Sequence, residues 1–187
     1  APRSLIAGDP RAAEQREKVE STVAALRRAY EEAAAEADRI GINDWPHQII
    51  HCDWHPGNML FRGERVVAVI DFDAARLQPR VIDAANGALQ FSVIGGGDDA
   101  SSWPEYLDQS RFKRFLYGYD RVNQLTKAEL QVIPWLMIEA LIAESAIPIA
   151  ATGSFARMGG LDWLLMIDRK VRWLREHAAD LAAVLGD

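Results

Sequence analysis

A single cysteine, Cys52, stands in the 187 residues, which excludes an internal disulfide and any multi-thiolate zinc site. A reducing compartment is therefore the expectation. Positive charge is also short, with 21 Lys and Arg against 27 Asp and Glu and a formal charge of -6. A general nucleic-acid binder normally carries a basic face, so no nucleic-acid partner is expected. The opening residues, APRSLIAGD, lack the long apolar core of a signal peptide. The most apolar later stretch, Ile133 to Ala151, is interrupted by Pro134, Glu139, Glu144 and Pro148, a poor composition for a membrane span. A cytoplasmic chain without a membrane partner is the reading. No repeat or low-complexity tract is seen. The chain opens on Ala1 and not Met, as a processed chain or a piece of a longer one would.

What is present is an ordinary globular composition, 49% hydrophobic and 26% charged, in a length that fits one domain with a proper core. From Ala12 to Ile40 the composition is helix-forming, and Val19, Val23, Leu26, Tyr30, Ala33, Ala37 and Ile40 fall on one stripe. Asp9 and Pro10 suit its start and Gly41 its stop. Ile42 to His47 is a connector, and residues 74–80 an irregular segment. Further helices are expected at about Val81 to Ser92, Pro104 to Val122, Thr126 to Ala146 and Leu161 to Leu185, the third opened by the capping box Thr126-Lys127-Ala128-Glu129. Gly95-Gly96-Gly97-Asp98-Asp99 is read as a linker, because a phosphate-binding loop needs a Lys-Ser/Thr that is absent. Thr152 to Gly160 is a loop. The expected fold is mainly α with a small β-hairpin.

The chemistry is concentrated in QIIHCDWHPGNMLFRGERVVAVIDFD, Gln48 to Asp73. Pro56-Gly57 sets a tight turn. Met59-Leu60-Phe61 and Val66 to Ile70 read as the arms of a hairpin joined by Arg62 to Arg65. Antiparallel arms bring their open ends together, so Asn58 and Asp71 are expected side by side. An amide oxygen and a carboxylate suit a hard cation such as Mg²⁺, which takes few protein ligands and fills its shell with water and phosphate oxygens. Asp53, on the same loop as Asn58, is placed to accept a proton from an attacking hydroxyl.

His51-Cys52-Asp53-Trp54-His55-Pro56-Gly57-Asn58 followed by Ile70-Asp71-Phe72-Asp73 resembles the catalytic core of the aminoglycoside phosphotransferase and choline kinase-like family. The resemblance implies the C-terminal lobe of a protein kinase-like α+β fold, with ATP and Mg²⁺ as cofactors and a small-molecule hydroxyl as acceptor. Asp53 matches the catalytic base, and Asn58 and Asp71 the metal ligands. His51 is tempting as a base, but its family counterpart holds the loop. His55 is assigned a structural role, Asp73 a solvated position or a second metal contact, and Asp83 a brace for the catalytic loop.

Cys52 replaces the usual Gly, which is expected to change only packing. The family's β-rich nucleotide lobe, which should precede this region, is missing. The chain therefore divides into a leading helix and connector (1–47), a catalytic loop and metal-binding hairpin (48–73) and a helical acceptor-binding subdomain (74–187). Activity is expected to need the nucleotide lobe in cis. Two other readings remain: a metal-dependent hydrolase whose ligands are His51, Asp53, His55 and Asp71, and a non-catalytic binding module. Glu139, Glu144 and Asp162 are read as surface charges.

Overall fold

The computed structural model describes residues 10–97 and 99–185. Helix α1 (Pro10–Ile40) leads through a short 3-10 turn into strand β1 (His47–Ile50), then the hairpin β2 (Met59–Arg62) and β3 (Arg65–Val69), and strand β4 (Arg76–Pro79). The remainder is α2 (Val81–Ser92), α3 (Gln109–Asp120), α4 (Lys127–Thr152), the small ladder β5 (Ser154–Phe155) and β6 (Met158–Gly159), α5 (Gly160–Glu176) and α6 (Ala178–Ala182). The chain is mostly helical, with small antiparallel sheets.

Helix α4 is the axis on which α1, α2, α5 and α6 pack. Val132, Ile133, Met137 and Ile138 are at most 1% exposed. Each such side chain contributes roughly 1.5–3 kcal/mol by leaving water. By length and mean hydropathy α4 would cross a membrane, but half of its most apolar window lies inside the fold. Its start is the capping box read from the sequence: Thr126 accepts from the Glu129 amide and Glu129 from the Thr126 amide. It runs to Thr152, past the expected end, and carries both Pro134 and Pro148.

Several expectations are corrected. The buried stripe of α1 is Thr22, Leu26, Ala29, Ala33 and Ala37, which leaves Val23 and Tyr30 on the exposed side. Small alanines let α4 and α5 approach closely, so volume decided the face more than hydrophobicity did. Asp9, taken as a cap, lies outside the described residues. Residues 74–80 are not all irregular, since β4 pairs with β1 in the register His47↔Pro79 to Ile50↔Arg76. Helix α3 starts five residues late because Asp108 caps it, accepting from the Arg111 amide. The final helix breaks at His177, whose ring lies on Trp173 at 4.4 Å and whose Nδ1 donates to the Trp173 carbonyl. In the expected loop at 152–160, Ala156 and Arg157 take positive φ and form a hairpin turn.

One ion pair joins the starts of α2 and α4. The Arg80 guanidinium donates to both oxygens of Glu129 at 2.7 and 2.8 Å, and also to the Gln124 carbonyl. Burial alone would raise the Glu129 carboxyl. Arg80, with the backbone and hydroxyl of Thr126, outweighs burial and holds it below its ordinary 4.5. A carboxyl with a lowered folded pKa stabilises the fold above its unfolded pKa, and that contribution is lost as pH falls through the folded value. Glu129→Gln is expected to cost about 2–4 kcal/mol, because it leaves Arg80 partly buried without a counter-charge. It should also remove part of the decline in urea midpoint below pH 4.5; an unchanged midpoint and pH profile would refute the role.

Candidate active site

The loop from His51 to Asn58 is held by its backbone. The Asp83 carboxylate, in the first turn of α2, accepts the His51 amide at 2.7 Å and the Cys52 amide at 2.8 Å. His51 is buried, its Nε2 2.9 Å from the Ile70 carbonyl and its Nδ1 3.3 Å from the Asp53 amide. A carbonyl only accepts and an amide only donates, so the ring carries its proton on Nε2. Both ring nitrogens are thus taken up in joining the loop to the end of β3. His51 cannot serve as a base or a metal ligand without breaking this join.

The Asp53 side chain is 43% exposed. The Asn58 amide nitrogen donates to the Asp53 carbonyl at 3.0 Å and to its Oδ2 at 2.9 Å. These acceptors fix which way the amide faces and leave the Asn58 oxygen as the atom offered elsewhere. The Ile70 amide donates to the Asn58 carbonyl at 3.0 Å. Asp71, next in the chain and exposed, therefore sits at the open end of the hairpin beside Asn58. The ribbon pairs Met59 with Val69 and Arg62 with Arg65, and Gly63, at φ 61°, takes the left-handed position its two-residue loop requires. The donor set, one amide oxygen and one carboxylate, fits a hard cation such as Mg²⁺ and does not suit a soft one.

His55 accepts the Gly57 amide on Nδ1 at 3.0 Å, capping the turn at Pro56–Asn58. Its Nε2 is 3.6 Å from Asp53 Oδ2, beyond a hydrogen bond. Asp73 is exposed. The hydrolase cluster of His51, Asp53, His55 and Asp71 does not assemble: among the described residues no three His, Cys, Asp or Glu side chains converge as a metal site. The physical reason is that His51 Nε2 and Nδ1 and His55 Nδ1 are committed to the backbone.

A model of the phosphotransferase enzyme family matches residues 3–125, well over half of the chain and all of this loop and hairpin. The chain belongs to that family. Its fold is accordingly protein kinase-like. A comparison with curated proteins gives no match.

Two features of this family member were not evident from its sequence. Cys52 has φ 63°, and Asp71 φ 64°. The family's usual Gly at position 52 is thus a backbone requirement and not the packing choice expected above. The Cys52 thiol is pushed up in pKa, mainly by burial and also by Asp83, against the pull of Arg76. It stays protonated and offers no thiolate nucleophile.

The second feature is a cavity of about 400 Å³ between α2, α4 and α5. Its wall holds Trp103 and Trp163, centroids 5.5 Å apart, with Phe155 stacked on Trp163 at 4.2 Å. Glu144 lines it, and its two oxygens accept from Asn86 at 2.7 Å and Gln90 at 2.8 Å. Crowding by protein pushes the Glu144 carboxyl up; Asn86, His55 and Gln90 oppose this, and the nearby Asp53 charge adds to it. Lys170 also lines the cavity, 1% exposed, with its ammonium on the Ile94 and Pro104 carbonyls at 3.3 and 2.6 Å. Burial, with Arg169 alongside and Glu105 opposing, lowers it to about 8. The signal for both was periodicity: Glu144 follows Met137 and Leu141 on one helical stripe, and Lys170 falls between Ile167 and Leu174 on another.

Asp83→Asn leaves only one acceptor for two amides and is expected to lower stability by about 1–3 kcal/mol. Cys52→Gly relieves a left-handed backbone and should hold or raise stability by up to about 1 kcal/mol, whereas β-branched Cys52→Val should lower it by about 1–2 kcal/mol. Denaturant melts check all three, and a Cys52→Val variant as stable as Cys52→Gly contradicts the backbone account.

Proposed function

We propose that this chain is the catalytic lobe of an ATP-dependent kinase acting on a hydroxyl of a small molecule. What carries the reading is the shared hydrogen-bond frame: one amide, Asn58, is tied to Asp53, and one imidazole, His51, ties Asp53 to the segment bearing Asp71. This frame supports reading Asp53 as the proton-accepting carboxylate and Asn58 and Asp71 as the two oxygen donors for a cation.

The acceptor hydroxyl gives its proton to the Asp53 carboxylate as its oxygen bonds to the γ-phosphorus of ATP. The bond from that phosphorus to the β–γ bridging oxygen breaks, and ADP leaves. Asn58 and Asp71 would hold Mg²⁺, which neutralises phosphate charge when bound. Asp83 and His51 keep the loop in register, and positioning of this kind supplies much of the rate.

The hairpin supports the need for cover. Phe61, Val67 and Phe72 are each more than half exposed beside the site, and Leu60 and Val66 nearly so. Exposed apolar surface of this extent marks an interaction face. We assign it to the nucleotide and a nucleotide-binding lobe in cis.

In the enzyme carrying that lobe, Asp53→Ala is expected to lower kcat by about 10²–10⁴-fold with little change in ATP binding. Asp71→Ala should abolish the Mg²⁺ dependence together with turnover. Full phosphoryl transfer in either variant, measured by ADP release and by product mass, overturns the assignment.

A further inference from the structure

A separate cavity, of about 490 Å³, is bounded by β1, the His51–Asn58 loop, α2 and α3. None of Asp53, Asn58 or Asp71 lines it, so phosphoryl transfer does not account for it. Its apolar lining includes Ile50, Trp54 and Phe115, and its volume suits a molecule of one or two rings. Both aromatic rings are held in place: Phe91 stacks on Phe115 at 5.3 Å, and a side chain at Gly87 of α2 would strike both Phe115 and Trp54. Trp54 follows Asp53 in the chain, and the lining also includes Asp83, whose carboxylate holds the His51 and Cys52 amides. An occupant therefore meets both a side chain of the loop and the loop's brace.

Gly118 also lines this cavity. It stands in the interior of α3, where glycine is disfavoured, yet nothing packed against the helix lies within 4 Å of the point a Cβ would occupy. Packing does not account for this glycine, whereas keeping the cavity open does.

The charged side chains of the lining are Arg80, Asp83 and Arg114. Arg80 is paired with Glu129, and each Asp83 oxygen accepts a backbone amide. Arg114 spends only its Nε, on the Ser110 carbonyl at 3.3 Å, and has no ion pair among the described residues. The unspent charge is thus positive and stands beside aromatic surface. A guanidinium offers its free nitrogens in a planar fork that matches a carboxylate, and one guanidinium balances one negative charge.

We infer that this cavity is an effector site for a small aromatic carboxylate, its acid group on Arg114 and its ring against Trp54 and Phe115. Such a site stands whether or not the chain transfers phosphate, because ligand and loop are coupled through Trp54 and Asp83.

Titration calorimetry on the chain tests this with 1-naphthylacetate and its neutral counterpart 1-naphthylacetamide. The acid should bind about 5- to 10-fold more tightly, the margin of one partly exposed charge-assisted contact. Arg114→Met, which keeps the stem and removes the charge, should erase that margin and leave the amide unchanged. Gly118→Leu should weaken both probes at least ~10-fold while holding or raising the urea midpoint, since leucine is the better helix former. At saturation with the acid, the His51 and Cys52 amide resonances should shift. No binding of the acid, equal affinity for the two probes, or a margin that survives Arg114→Met overturns the site. So does undiminished binding by a Gly118→Leu chain that melts normally; if that variant fails to fold, Arg114→Met decides alone. Unmoved His51 and Cys52 resonances overturn the coupling to the loop.

Discussion

Two backbone amides on one carboxylate hold the site in place. His51 and Cys52 direct successive N–H groups at Asp83, and they can do so because Cys52 is left-handed, which turns neighbouring amides toward one anion. Asp83 in turn is fixed by standing in the first turn of α2, whose preceding residue Arg80 is anchored on Glu129 at the start of α4. A line of charge-assisted contacts thus runs from the core helix to the residue before Asp53. The position of the loop is inherited from packing in the interior.

The same chain treats its carboxylates in two ways. Glu129 has a guanidinium on both oxygens, and Asp83 has two amides. Asp53, Asp71 and Glu144 have no Lys or Arg partner among the described residues, and the nearest positive candidate, His55, stands 3.6 Å from Asp53. Carboxylates without a Lys or Arg of their own are free to meet a cation from outside, and a divalent ion at Asn58 and Asp71 is the one we propose.

The sequence made local features legible and left distant ones hidden. The loop, the hairpin, the stop at Gly41 and the capping box at Thr126 are each written within a few residues, where turn and cap chemistry leave clear marks. The β1–β4 pairing was not, because most of its members are polar or exposed, with Ile49 75% and Leu77 63% exposed, and no local pattern reports a partner nearly thirty residues away. The buried stripe of α1 was misjudged because alanine at a close helix contact outcompetes larger residues. Glu144 and Lys170 were readable as charges on apolar stripes, but only coordinates bring α2, α4 and α5 to one cavity.

The remaining element is strain. Non-glycine residues in the left-handed region cost roughly 1–2 kcal/mol, and this site contains Cys52 and Asp71. His51 spans them. Its Nδ1 meets the amide just after Cys52, and its Nε2 meets the carbonyl just before Asp71. One buried ring therefore opposes the relaxation of both residues at once. That arrangement explains why a histidine with no free nitrogen belongs at the centre of this loop: its contribution is to keep two unfavourable turns, and with them Asp53 and Asp71, in a geometry neither would adopt alone.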